Sequence, residues 1–204
     1  MRALRGVALA AALVAAACAA SPFKNTWKAA EEKAVSLRGR MTAAVFLSDV
    51  EALRRNAEEA IAEEISARGG RGIAGYTRLD AEGLAERPRA FSLLREQGVP
   101  LALVVRAAGR EREALRVYPG FGGWWGPWGG RRGCWGWGWD LLYDPAFGYP
   151  ETTVAVEIRF YDLEGDRLLW AGVSRARLPA DWVALLRGLA REALLQMEAE
   201  GVLY

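Results

Sequence analysis

Apolar residues along this chain recur at two periods, and each change of period marks a new element. The run TAAVFL, residues 42–47, is continuously apolar and stops at Ser48-Asp49, which reads as a buried strand running straight into a helix. Ser48-x-x-Glu51 has the spacing of a capping box, in which a hydroxyl and a carboxylate satisfy each other's end of the first turn. Val50, Leu53, Ala57, Ala60, Ile61 and Ile65 then recur at three- and four-residue spacings, giving one apolar face opposite Arg and Glu, and Gly69-Gly70 ends the helix. GIAGYTRL, residues 72–79, reads as a second strand. Pro88 opens a short helix that turns Phe91 and Leu94 inward and closes at Gly98. PLALVVRAAG is a continuous apolar run of the kind covered on both faces, with an exposed ribbon continuing through Val117. These three strands are expected to be parallel and buried.

After residue 150 the period becomes two. Val154, Val156, Ile158 and Phe160 alternate with Ala155, Glu157, Arg159 and Tyr161, which reads as a half-buried strand. Asp162-Leu-Glu-Gly165-Asp makes a hairpin turn into an antiparallel partner, Arg167 to Ala176. A last helix follows Pro179-Ala-Asp181, with Leu185, Leu186, Leu189, Ala193, Leu194 and Met197 as its apolar stripe and Gly201 at its end. The order β-α-β-α-β-β-β-α predicts an α/β fold: a mixed parallel and antiparallel sheet with helices packed on it. It is one domain over 41–204, with a long Gly/Trp-rich loop, 118–150, between the third and fourth strands. Residues 18–40 read as a tether and lead-in carrying Trp27.

The amino terminus has a different logic. Arg2 and Arg5 precede an apolar stretch from Val7 to Val14, and Ala15-Ala16-Ala17 is a small-residue cleavage site, so residues 1–17 read as an export signal. The apolar stretch is shorter than the roughly 20 residues a spanning helix needs. Cys18 follows the three alanines directly, where a lipoprotein-processing enzyme requires the thiol that receives diacylglycerol; Ala15 stands where Leu is usual. Cys18 is therefore the expected lipid-attachment residue, with an N-acyl diacylglyceryl group as the covalent addition and no other cofactor. Multiple acyl chains anchor stably at about 0.8 kcal/mol per buried CH₂. Ala19, in place of Asp, favours the outer membrane, facing the periplasm, by the usual sorting preference of the cell envelope. Plain secretion is the alternative.

Charge and composition then remove whole classes of function. Of the 27 basic side chains two lie in the export signal, and the remainder balance the 25 acidic ones, so the basic stripe of a nucleic-acid binder is missing. The chain has no histidine, which excludes Ser-His and Cys-His nucleophile pairs and His-based zinc sites. With Cys18 lipidated, Cys134 has no internal disulfide partner and is either a free thiol or paired between molecules.

Six of the nine tryptophans, Trp124, Trp125, Trp128, Trp135, Trp137 and Trp139, lie with Tyr143 in the 118–150 loop, where about half of the other residues are Gly or Pro. Loops above about 12–15 residues in compact domains are usually functional or disordered, and disordered segments are normally poor in aromatics. Tryptophans interleaved with glycine stack on flat apolar surfaces and concentrate in protein interfaces and at membrane–water boundaries. The readings are docking onto an envelope protein, contact with a membrane surface, stacking on glycan rings, and a lid that folds back on the sheet and binds nothing. Arg131-Arg132 reads as a phosphate contact or as a solvated pair at the loop tip. Asp140, Asp144 and Glu151 beside Tyr143 supply the paired acids of glycoside hydrolysis, though Asp144-Pro145 reads equally as turn chemistry. The same acids lack the spacing of a calcium loop.

The stretches TWKAAEEKAVSLRGRMTAAVFLSD, RRNAEEAIAEEISARG, GYTRL and VEIRFYDLEGDRLLWAGVSR, with the Gly/Trp-rich insertion and a terminal helix, resemble a family of uncharacterised Gram-negative envelope lipoproteins, a domain of unknown function. The resemblance covers most of the mature chain, and LLWAG is its most specific piece. That family is distantly similar in architecture to the amino-terminal domain of TolB and to periplasmic lipoproteins that regulate or assemble envelope machines. The resemblance implies an α/β interaction module and carries over no catalytic residue; the density of tryptophan in the insertion departs from it. The expectation is a lipid-anchored, non-catalytic envelope module that meets a protein partner through its Trp-rich loop. A glycan- or membrane-surface binder is the alternative, and a carbohydrate-active enzyme a minor one. Partner identity and oligomeric state are left open.

Overall fold

The computed structural model describes residues 21–30, 33–108 and 153–204. Its elements run β1 (Phe23–Lys28), β2 (Met41–Leu47), α1 (Glu51–Ala67), β3 (Arg71–Ala74), a 3₁₀ turn (Gly75–Thr77), α2 (Ala81–Leu84), α3 (Arg87–Glu96), β4 (Leu101–Ala108), β5 (Thr153–Asp162), β6 (Arg167–Arg177) and α4 (Trp182–Ala199). The strands form one six-stranded sheet in the order β1-β6-β5-β4-β2-β3. β3, β2 and β4 are parallel, as their apolar runs imply, and β4, β5, β6 and β1 continue antiparallel. The architecture is the mixed α/β fold that the periodicity predicts.

Parallel strands need cover on both faces, and the side chains divide accordingly. Ala44 and Phe46 of β2 and Leu101, Leu103 and Val105 of β4 join one core with α1 and α4. Ala43, Val45 and Leu47 join the other, with Ala102 and Val104 and with Phe91 and Leu94 of α3. Asp181 caps α4 by accepting from the Ala184 N–H at 3.0 Å, and Gly201 follows that helix at φ 73°. Pro88 sits in the first turn of α3, and Gly98 follows it at φ 72°.

Four local expectations need correction. The Ser48–Glu51 capping box does not form: Val50 is the N-cap of α1, without a side-chain cap, and Ser48 Oγ accepts from the Val50 N–H at 3.1 Å. Glu51 instead pairs with Arg55 at 2.7 Å, one helical turn on. The strand expected over 72–79 stops at Ala74, because a carboxylate from α1 takes the hydrogen bonds that a longer β3 would have made. β5 is not half-buried: Glu157, Arg159 and Tyr161 are buried as well as Val156 and Ile158, because β5 is a central strand whose charges pair with neighbours. Residues 23–28, placed with the tether by the sequence reading, form the edge strand β1 on β6, and the one-turn helix α2 was not foreseen. The exposed ribbon expected through Val117 lies outside the described residues beyond Ala108.

Trp170 on β6 gathers one end of the molecule. It is fully buried, meets Phe23 of β1 edge to face at 5.3 Å, and donates from its indole N–H to Glu200, just past α4, at 2.9 Å. The neighbouring Gly172 has no room for a side chain: a Cβ there would lie 2.3 Å from the Trp170 ring and 2.9 Å from that of Phe23. Helices α1 and α4 run the same way and are joined by ion pairs Glu63–Arg187, Glu64–Arg191 and Arg68–Glu198. The Glu64–Arg191 pair is bidentate, at 2.9 and 3.0 Å.

Gly172→Ala is expected to cost about 1–3 kcal/mol through overpacking against the indole, read by chemical denaturation followed by circular dichroism; an unchanged midpoint contradicts this packing. The hydrogen bonds from Arg191 hold the Glu64 carboxyl below the usual glutamate range. A lowered folded pKa gives stability that is present above the unfolded value of about 4.3 and is lost as pH falls through the folded one. Arg191 is half exposed, so Glu64→Gln should cost only about 0.5–1 kcal/mol at neutral pH, and the gap to wild type should close in acid. A gap independent of pH would show that the charge is not what matters.

Candidate functional site

The parallel strands β2, β3 and β4 end on one edge of the sheet, and every segment of functional interest is rooted there. In α/β folds the crevice outside the carboxyl ends of parallel strands, where the strand order reverses, is the usual ligand position. Here the order reverses around β2, since α1 leads to β3 on one side of it and α3 leads back to β4 on the other.

Two buried charge networks lie toward this edge. The first closes the gap left where β3 stops. Glu58, on the buried face of α1, accepts from the Phe46 N–H of β2 at 3.0 Å and from the Tyr76 N–H just past β3 at 2.5 Å. Its carboxylate thereby stands in for the missing stretch of strand. Arg54, one turn earlier, pairs with Glu58 at 3.1 Å and donates to the Leu79 carbonyl at 2.8 Å. Burial pushes the Glu58 carboxyl up, opposed by the two backbone N–H donors and the Arg54 charge. Gly75 is needed beside it, since a Cβ there would lie 2.8 Å from the Ala44 carbonyl oxygen. Both carboxylate oxygens accept from fixed donors and the side chain is fully buried, so the group closes the sheet where β3 stops.

The second network sits at the root of the Trp-rich segment. Arg106 of β4 lies directly opposite Glu157 of β5, and its guanidinium is paired with that carboxylate. Arg159, two residues along on the same face, pairs with the other Glu157 oxygen at 2.7 Å. Glu157 is 1% exposed, so this is a desolvated bridge across the two strands. Burial lowers the Arg159 pKa, but the Glu157 charge and the hydrogen bond to Tyr161 outweigh it and leave the group above its ordinary value. The bridge fixes the register of β4 on β5 where the chain leaves at Ala108 and returns at Thr153.

The residues picked out by sequence, Cys18, Trp124, Trp125, Trp128, Trp135, Trp137, Trp139 and Tyr143, lie outside the described residues, as do Arg131, Arg132, Cys134, Asp140, Asp144 and Glu151. What the structure supplies is the frame that holds the two ends of their segment. Sequence reasoning missed Arg54, Glu58, Arg106, Glu157 and Arg159. Arg54 and Glu58 carried a signal, the i,i+4 spacing of opposite charges at positions flanking the apolar stripe.

Among the described residues no group of three or more His, Cys, Asp or Glu side chains is placed to hold a metal ion, and no helix is long and apolar enough to cross a membrane. A pocket of about 70 Å³ lined by Lys28, Ala29, Ala30, Lys33, Leu169, Gly201 and Val202 lies at the opposite end of the sheet. It is well below the roughly 300 Å³ of a small-molecule site.

No protein-family model matches this chain, and no curated protein does. Among solved structures it is similar to the PelC dodecamer from Paraburkholderia phytofirmans, at TM-score 0.44 and 12% identity over 83% of this chain and 94% of that one. It is also similar to lipoprotein GNA1162 from Neisseria meningitidis, at TM-score 0.37 and 14% identity over 79% of this chain and 99% of that one. These are partial likenesses of fold, and the functional reading rests on this chain's own residues.

Glu58→Gln keeps the shape but takes a charge-assisted partner from buried Arg54, leaving it the exposed Glu51 at 3.6 Å, so it should cost about 1.5–3 kcal/mol in chemical denaturation. Arg54→Met combined with Glu58→Gln removes the buried cation while an amide oxygen still accepts from the strand, and should recover part of that loss. A double variant as unstable as the single one would show that the backbone bonds to Phe46 and Tyr76 dominate.

Proposed function

We propose that this protein is a lipid-anchored interaction module of the bacterial cell envelope, facing the periplasm from the outer membrane, which binds an envelope protein through its Trp-rich segment. The observation that carries the reading is a division of labour along the chain. A signal ending in Ala15-Ala16-Ala17-Cys18 supplies the anchor, and a sheet braced by buried ion pairs supplies the scaffold. Between paired strands of that scaffold is strung a segment with six tryptophans, which no regular element of the fold requires. Aromatic side chains carry most of the energy in protein interfaces, and they do so best when rooted in a rigid frame.

The reading is of a binder and not a catalyst. The chain has no histidine, and the buried carboxylates Glu58 and Glu157 are held by arginine or by backbone N–H groups. Asp140, Asp144 and Glu151 are the acids whose replacement would test the enzymatic alternative.

Two measurements test the proposal. In fractionated cells the intact protein should sediment with membranes and carry acyl mass on Cys18, and Cys18→Ser should move it to the soluble fraction; sedimentation unchanged by that substitution defeats the anchor. Crosslinking in envelopes should then compare the intact chain with one lacking residues 120–140 but keeping Cys18. Loss of one specific protein adduct, with the fold retained by circular dichroism, supports the Trp segment as the contact surface. An identical adduct pattern rules that surface out.

A further inference from the structure

The strand order places the chain's point of entry on a particular edge. Phe23 begins β1 opposite Ser174 of β6; Ser174 is opposite Val156 of β5, and Val156 is opposite Ala107 of β4. The first residue of β1 therefore lies in the same row as the carboxyl end of β4, three strands away or about 14 Å. Ala108 and Thr153, between which the Trp-rich stretch is strung, lie on this edge too.

Only four residues separate Cys18 from Phe23. Fully extended, that tether spans about 18 Å. Helix α4 starts at this edge and runs away from it for 18 residues, about 27 Å. A tether shorter than the domain is deep cannot let the far end turn to the bilayer while Cys18 stays in it.

We infer that the carboxyl edge of the sheet faces the bilayer and rests on its headgroups, a conclusion that builds on the lipid-anchor reading of Cys18. The side chains on this edge suit a lipid surface. Val50 and Leu178 are exposed apolar residues, 40% and 46% accessible, just past β2 and β6. Trp182, partly exposed, opens α4 four residues after Leu178, and Lys24, Arg175 and Arg177 are exposed cations on β1 and β6, with Asp49, Glu51 and Asp181 as exposed acids on these same segments among the described residues. Apolar side chains, tryptophan and long cations together are the composition of the membrane–water interface.

The test uses the full, acylated protein in phosphatidylethanolamine–phosphatidylglycerol vesicles doped with nitroxide-headgroup lipid. On a Cys134→Ser background, a fluorescent thiol label is placed at Leu178→Cys or Val50→Cys on the edge, or at Tyr204→Cys past the far end of α4. The alkylated sulfur of Cys18 takes no label. Quenching at 50 and 178 is expected to be severalfold stronger than at 204. Equal quenching, or stronger quenching at 204, in protein whose mass confirms acylation overturns the orientation alone. Absence of acyl mass on Cys18 overturns the anchor and the orientation together. Labelling positions 50 and 178 separately keeps the result readable if one variant fails to fold.

Discussion

The antiparallel pairing of β4 with β5 is the constraint on which the rest of this structure depends. It joins two halves that differ in kind. On one side are parallel strands linked through helices, and on the other a meander closed by a helix. The pairing spans eight residues of β4 although the chain makes a long excursion between the two strands. Closing so long a loop costs entropy that grows only slowly with its length, so a well-packed ladder tolerates it. Apolar neighbours such as Leu103 and Phe160 supply one face of that ladder, and the Arg106–Glu157–Arg159 bridge supplies the other. The bridge is costly to desolvate, and its value lies in register: a slip of one residue would take Arg106 away from Glu157 and leave that buried carboxylate only Arg159 of its own strand.

The Glu58 knot follows the same logic at the other end of the parallel half. Where β3 turns away, backbone N–H groups of Phe46 and Tyr76 would be left without acceptors, and a carboxylate from α1 supplies them. That requires burying a charge, and Arg54 is the counter-charge that makes the burial tolerable. Both networks stiffen the strand ends toward the edge from which the Trp-rich segment leaves. A segment rich in glycine and tryptophan pays most entropy on binding when its ends are also loose, and fixed ends reduce that cost.

Much of the fold was legible because its signals are periodic. The continuous apolar runs of β2 and β4 announced strands with two covered faces, and the stripe in α4 announced a helix docked by one face. The losses came where a local pattern has two meanings. Alternation in β5 looked like one wet face, since Glu157, Arg159 and Tyr161 are the residues a wet face would carry; burial with partners gives the same letters. Ser48 and Glu51 had the spacing of a cap, yet Glu51 found Arg55 and Arg54 closer to hand. Residues 72–79 had strand composition throughout, and nothing in them reveals that Glu58, fourteen residues before Gly72, will end the strand at Ala74.

By itself the sequence determined the class of fold, the exclusion of histidine-based chemistry, and the expectation of an export signal, a lipid on Cys18 and a tryptophan-rich contact segment. These depend on composition, period and short spacing, which are properties of the chain read in order. Only the tertiary structure decided that the strand order is β1-β6-β5-β4-β2-β3, that Glu157 of β5 becomes the buried partner of Arg106 of β4, and that the start of β1 shares an edge with the root of the 109–152 segment. Those facts rest on contacts between residues distant in the chain, from Arg106 with Glu157, 51 positions apart, to Phe23 with Ser174 at opposite ends of it. Such contacts are set by which faces can bury together, and no local pattern encodes that.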